Sequence, residues 1–344
     1  MTDTQHVLLR EQRAALLDIP FPDPVNSTVE QARWHTLEWL TGSGLLAGAR
    51  SVKEYDALRL ERLMAYFYPE AGAHDLAVAA DLNAWFFVFD DQFDNSELGR
   101  APARIGPLVE TLMRALSDGP PPPAERSAGA LSSALRDVWV RASAGMPEHW
   151  RRRFRGHWHA YLSAYEAEAA HRTAAVSPTL PRFLAVRRHS IGVQPCLDLA
   201  ERCCGFTLPD AVHRALPLAV LRELTADVVL FVNDVLSLEK ELAAGDVNNS
   251  VLVLRARTGC DLPEAVRRTT RLANARVARF QELAAALPGF LEREGLPEPV
   301  RRNTARYTEA MRHLMRGNLS WSLETPRYAH AATDTGAVPW AGLL

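Results

Sequence analysis

Apolar residues recur at helical spacing along almost the whole chain, while alternation of the strand kind is scarce. After the proline-rich Phe21-Pro22-Asp23-Pro24, the run Ser27-Thr28-Val29-Glu30 reads as a capping box, with Ala32, Leu37 and Leu40 as the stripe behind it. Amphipathic stretches follow near 53–69, 74–94, 103–117, 126–143, 148–172, 197–204, 211–244, 262–287 and 297–316. Gly119-Pro120-Pro121-Pro122-Pro123 predicts an extended loop, but the helical texture is alike on both sides, so no domain boundary is placed there. No solenoid-type repeat is present. The pattern predicts an all-α chain, one domain over 1–344, with about ten helices.

Two stretches break the pattern. Ala84-Trp85-Phe86-Phe87-Val88-Phe89 is apolar enough to be buried, yet it runs directly into Asp90-Asp91-Gln92-Phe93-Asp94. At i, i+4 on a helix, Asp90 and Asp94 share a face, and like charges against an apolar neighbourhood need pairing, protonation or a cation. Oxygen ligands of this kind suit a hard ion such as Mg2+. The plainer alternative is a solvated helix end. The second stretch, Val228-Val229-Leu230-Phe231-Val232, is followed by Asn233, Ser237 and Glu241 at i, i+4 and i+8. Each step drifts by about 40°, so amide, hydroxyl and carboxylate line one helix edge, a chelate for a hard metal. An ordinary exposed polar stripe is the rival reading. Lys240 sits beside the last of the three, and Lys53 is the other lysine of the chain.

Composition narrows the classes. The 344 residues are 47% hydrophobic and 23% charged, which excludes a disordered chain. A net charge of −2 argues against a nucleic-acid partner. Cys196, Cys203, Cys204 and Cys260 form no CxxC pair and read as buried thiols in a reducing compartment. Neither a signal-peptide core nor an 18-residue apolar run is present, so the expectation is a cytoplasmic protein without a membrane span. His74-Asp75 lacks the further ligands of a metal phosphohydrolase, and His157 and His159 fall on different helix faces.

Taken together, these motifs resemble the bacterial class I terpene cyclases. The family's DDxxD box matches Asp90-Asp91-Gln92-Phe93-Asp94, and its (N/D)DxxSxxxE triad matches Asn233, Ser237 and Glu241, with Lys240 as the usual basic residue before the Glu. Phe21-Pro22-Asp23-Pro24-Val25-Asn26 looks like the N-terminal lead-in, within 1–26. Arg187-Arg188-His189-Ser190-Ile191-Gly192 looks like a diphosphate-sensing arginine followed by a helix break. Gly317-Asn318-Leu319-Ser320-Trp321 and Arg327-Tyr328 look like the C-terminal cap, within 317–344.

The resemblance implies a single-domain α-helical barrel that ionises an allylic diphosphate and cyclises the carbocation. It implies a cluster of Mg2+ ions, three in the family, held by Asp90, Asn233, Ser237 and Glu241, with Asp94 ligating directly or through water. Lys240, Arg187 or Arg188, Arg327 and Tyr328 would bind diphosphate; Arg188 is favoured, being four residues before Gly192. In the family a backbone carbonyl at such a break, here around Ile191 and Gly192, points at the developing cation. Phe86, Phe87 and Trp321, and less strongly Phe93, are candidates to stabilise positive charge by about 0.5–2 kcal/mol each; core packing is the alternative for each. Farnesyl diphosphate is the expected substrate and a sesquiterpene the product, with a geranylgeranyl-diphosphate (diterpene) cyclase as the alternative. A chain-elongating prenyltransferase would carry a second acidic box where Asn233, Ser237 and Glu241 stand, and a helical scaffold would have no activity to lose. Homodimers are common among similar proteins.

Overall fold

The computed structural model describes residues 8–93, 96–117, 129–174, 176–328 and 338–344. Among them the chain forms helices and no strand: α1 (Arg10–Ala14), α2 (Val29–Gly42), α3 (Gly48–Ala57), α4 (Leu60–Phe67), α5 (Ala73–Asp90), α6 (Pro102–Ala115), α7 (Ala130–Ser143), α8 (Glu148–Thr173), α9 (Leu180–Ser190), α10 (Val193–Cys203), α11 (Asp210–His213), α12 (Leu216–Leu236), α13 (Leu238–Ala244), α14 (Ser250–Thr258), α15 (Leu262–Arg293) and α16 (Glu298–Glu324). The helices are more numerous than expected because the stretches over 53–69 and 211–244 are divided and α1, α9 and α14 fall outside the predicted stretches, whereas α15 and α16 run further than predicted. Arg59 takes a left-handed φ of 52° and separates α3 from α4. The break expected after Arg187-Arg188-His189-Ser190-Ile191 falls at Gly192, which separates α9 from α10 with φ 74°.

Helices α5 and α12 are the central pair. Leu76 to Phe86 of α5 is buried without interruption, and so is Leu224 to Val232 of α12. A helix apolar on every side has to be surrounded. Accordingly α5 packs on α2, α4 and α7, and α12 on α15 and α16. Close approach of α16 to α4 depends on Gly317, where a Cβ would lie 2.6 Å from the Tyr66 Cβ. Helices α4, α5, α8, α9–α10, α12–α13 and α16 thereby enclose one cavity, each contributing residues to its wall.

Local details differ from the sequence pattern. The capping box before α2 does not form. Thr28 and its backbone N–H both donate to Asn26 Oδ1 instead, and Glu30 pairs with Arg33 and Arg59. Asn26 also donates to the carbonyls of Tyr68 and Ala71, which anchors the 21–26 segment beside α4. Pro195 lies in the first turn of α10, where a proline's missing N–H would go unpaired anyway. The four cysteines are free, but Cys204 and Cys260 are half-buried rather than buried. No helix among the described residues is long and apolar enough to cross a membrane.

Candidate active site

The cavity holds about 1060 Å³ of empty space counted out to its open mouth. One side of the mouth is the end of α5. The helix stops at Asp90, where Phe93 N–H turns back to the Asp90 carbonyl, so its Asp90 carboxylate stands at the negative end of a helix dipole. Asp90 is 45% exposed at its side chain and accepts from the Tyr165 hydroxyl at 3.0 Å. The expected i, i+4 partner, Asp94, lies outside the described residues.

Facing Asp90 across the same cavity are Asn233, Ser237 and Glu241. The predicted single helix over 211–244 is divided at Ser237, but Ser237 keeps helical dihedrals and its N–H bonds to Asn233 O at 2.8 Å. The i, i+4, i+8 edge therefore survives the break. Ser237 Oγ donates to Glu241 Oε1 at 2.7 Å, and Asn249 Nδ2 donates to Glu241 Oε2 at 2.5 Å. Burial pushes both the Asp234 and Glu241 carboxyls above the usual range, and the Asp234 charge pushes Glu241 further, with Arg187 offsetting part of it. Concentrated negative charge with all-oxygen donors is what a hard divalent cation relieves, so these residues fit such an ion.

Arg187, not Arg188, faces this charge. Arg187 lines the cavity and its Nη2 donates to Asn233 Oδ1 at 3.0 Å and Asp234 Oδ1 at 3.1 Å, with Glu168 at 3.8 Å. Arg188 points the other way, in a fork on Asp227 at 2.6 and 3.0 Å, where Arg276 joins it. Four residues before Gly192 is one helical turn. The break at Gly192 redirects the chain, however, so sequence distance from it does not fix which face turns inward. Arg327 and Tyr328 close the mouth: Arg327 forks on Asp91 at 2.6 and 3.3 Å, and the Tyr328 hydroxyl accepts from Asn233 Nδ2 at 2.9 Å. Lys240 lines the same mouth.

Below the mouth the wall is largely aromatic. Phe86, Phe87 and Trp321 line it, the last two in edge contact at 5.6 Å, and the Arg327 guanidinium lies 4.9 Å from the Phe87 ring centre. Phe93 is absent from this wall; it packs on Phe89 and Tyr165 in the core, because the chain has left the helix before it. Ile191 and Gly192 form part of the wall at the break between α9 and α10. A Cβ at Gly192 would meet Phe86 at an ordinary 3.7 Å, so Gly192→Ala is strained by its left-handed backbone alone. The expected loss is about 1–2 kcal/mol in a denaturant titration.

A second buried cluster, Asp198, Glu201 and His213, has ligand atoms close enough together to hold a metal. Its charges are already met within the protein. Arg153 pairs with both Asp198 and Glu201, and His157 Nδ1 lies 2.5 Å from Asp198 Oδ2. Burial works against the Asp198 charge, but His157 and Arg153 override it and hold its pKa at about 2. This cluster ties α8 to α10 behind the cavity wall. Asp198→Ala should cost about 3–5 kcal/mol by leaving Arg153 short of a partner. Because the pairing is internal, calorimetric melting with added Mg2+ should not recover that loss. The stability that Asp198 contributes is full above pH 3.8, its unfolded value, and is lost as pH falls through about 2.

Sequence reasoning did not assign Asp91, Asp234, Glu168 or Asn249. The doublets Asp90-Asp91 and Asn233-Asp234 were the available signal: each places one polar residue at the mouth and the next against an arginine behind it. Glu168 comes from α8 and Asn249 is the N-cap of α14, and neither belongs to a local motif of the site.

A family model described as "Terpene synthase family 2, C-terminal metal binding" matches residues 81–279. The chain is 55% identical over 337 residues to a pristinol synthase of Streptomyces pristinaespiralis, covering 96% of this chain and 90% of the relative. It is 47% identical over 351 residues to an isoafricanol synthase of Streptomyces violaceusniger, covering 98% and 91%. Among solved structures, a variant of cucumene synthase superposes with a TM-score of 0.81 at 35% identity, covering 91% of this chain and 100% of that one. With carboxylate, amide and hydroxyl side chains and arginines gathered at the mouth of an aromatic helical cavity, and with likeness of this extent along its length, the chain belongs to the terpene synthase family, as a bacterial class I terpene synthase.

Proposed function

We propose that the protein is a Mg2+-dependent cyclase that ionises farnesyl diphosphate, cyclises the carbocation to a sesquiterpene and releases diphosphate. The observation that carries this reading is the facing of Asp90 and the Asn233–Ser237–Glu241 edge across one cavity mouth that also holds Arg187 and Arg327. Asp90, Asn233, Ser237 and Glu241 would hold the metal, in the family a set of three ions. When bound, Mg2+ supplies Lewis-acid neutralisation of the leaving diphosphate.

The chain's own groups do the rest. Arg187, Arg327, Lys240 and the Tyr328 hydroxyl hydrogen-bond the diphosphate oxygens, guanidinium forks being matched to that geometry. Arg187 and Arg327 are half-buried and held in place by Asp234 and Asp91, so little ordering is needed when the anion arrives. Phe86, Phe87 and Trp321 present ring faces and edges to the hydrocarbon chain. Ring faces stabilise passing positive charge by about 0.5–2 kcal/mol each. The apolar wall keeps bulk water from the cation. The carbonyl side of the Ile191–Gly192 break is a further dipole at the wall.

Purified protein is to be incubated with geranyl, farnesyl and geranylgeranyl diphosphates, each with Mg2+ or with a chelator, and the organic extract analysed by gas chromatography with mass detection. A cyclic fifteen-carbon product from farnesyl diphosphate, lost with the chelator, is expected. A faster twenty-carbon cyclisation would overturn the substrate assignment, and no terpenoid from any of the three would overturn the cyclase reading.

A further inference from the structure

Most of the wall below the mouth is apolar or aromatic, yet two carboxamides are set into it. Asn83 lies mid-way along α5 and is 3% exposed; Asn318 lies on α16 and is 4% exposed, and both line the cavity. Asparagine is a poor choice for a helix interior and for a core, because its amide competes with the backbone and needs partners when buried. Each amide is half satisfied. Asn83 Nδ2 donates to the Leu60 carbonyl at 3.1 Å, and Asn318 Nδ2 donates to the Val229 carbonyl at 3.3 Å. Each NH2 end is thus tied to the backbone of a neighbouring helix. That leaves each Oδ1 to the cavity, where it accepts from no group among the described residues.

Their depth is set by helical rise. Asn83 precedes Asp90 by seven residues of α5, about 10 Å below the metal rim, and Val229, the anchor of Asn318, precedes Asn233 by four, about 6 Å below it. Phe87 follows Asn83 by one turn and Trp321 follows Asn318 by one turn, and those two rings touch at 5.6 Å. Both carboxamides therefore sit beneath the same ring pair, at the level of the hydrocarbon rather than of the diphosphate.

We propose that Asn83 and Asn318 hold a water molecule in the cavity, and that the reaction ends when this water captures the last carbocation, so that the product is a cyclic sesquiterpene alcohol. This rests on the cyclase reading above and adds the class of product. A water in an otherwise apolar pocket requires two or more polar partners, and two carboxamide oxygens meet that need. By donating both hydrogens to them, the water keeps its lone pairs free. One lone pair forms the new C–O bond to the cationic carbon, giving an oxonium ion. The oxonium, a strong acid held against the carboxamide oxygens, sheds one proton as the alcohol and diphosphate leave the cavity, and the diphosphate, the base that the ionisation step itself supplies, takes it up. One water is consumed, and no oxidant or reductant enters. Asn83 and Asn318 are thus water-positioning residues.

The test is product analysis of the full-length protein with farnesyl diphosphate and Mg2+ in water enriched in oxygen-18. The wild type is expected to give mainly a cyclic alcohol carrying one labelled oxygen. Asn83→Leu and, separately, Asn318→Leu should each lower the alcohol fraction of total product by about tenfold or more, with cyclic olefins in its place. That fraction is internal to each sample, so it does not depend on how much folded variant is obtained, and a merely helix-bracing amide would not move it. A wild-type product consisting of olefins, or an alcohol fraction unchanged in both variants, would overturn the proposal while leaving the cyclase reading intact. Failure of the wild type to turn over any prenyl diphosphate would overturn both.

Discussion

Glu241→Gln is expected to reduce turnover of farnesyl diphosphate by about 10²–10³-fold or more, while the melting temperature of the metal-free protein does not fall. The two halves of that result have separate causes. Glutamine retains the size of the side chain and an oxygen to accept from Ser237 or Asn249, so the local network has what it needs to persist. The substitution removes one of two carboxylates whose pKa values burial has raised, Glu241 being raised further by Asp234, and relieving that repulsion favours the fold. The same carboxylate is what a divalent ion would bind. Asn233→Leu should be equally damaging to turnover, because Asn233 is also where Arg187 and Tyr328 meet. Steady-state kinetics beside far-ultraviolet circular dichroism would check both variants. Wild-type turnover in either would remove that residue from the metal-binding edge.

The second large effect is a contrast between neighbours. Arg187→Lys should lower kcat by about 10²-fold, since a lysine keeps the charge but not the fork that reaches two acceptors at once. Arg188→Lys should leave kcat near wild type. Its partner Asp227 keeps Arg276 at 2.9 Å, so the cost falls on stability and amounts to about 1 kcal/mol. Measuring kcat for the matched pair separates the two arginines, and equal losses would mean that the diphosphate is not read by the side chain that faces the cavity.

Much of the candidate site was legible because its residues are local. Asn233, Ser237 and Glu241 lie within nine residues, and helical geometry alone aligns them, even across the change of helix at Ser237. Asp90 was legible as a charge at the end of a helix that is otherwise too apolar to be exposed. The aromatic assignments were divided by where that helix stops: Phe86 and Phe87 lie inside it and face the cavity, whereas Phe93 lies beyond its end and is absorbed by the core. Lengths were the weaker part. The stretch over 53–69 is cut at Arg59 by a left-handed residue that is not glycine, a conformation no local pattern announces.

The sequence by itself determined that the chain is helical, that α5 and α12 must be surrounded, and that each ends in oxygen-bearing side chains, because periodicity and the cost of stranding a charge in an apolar place are properties of short segments. Tertiary structure decided which of two adjacent arginines turns inward, which residue of each doublet backs an arginine, and which polar atoms of Asn83 and Asn318 are left facing the cavity. Those outcomes depend on partners far away in the chain: Arg187 meets Asp234, Arg327 meets Asp91, and Asn318 meets Val229. A side chain's direction is fixed by the groups that satisfy it, and here those groups arrive from other helices.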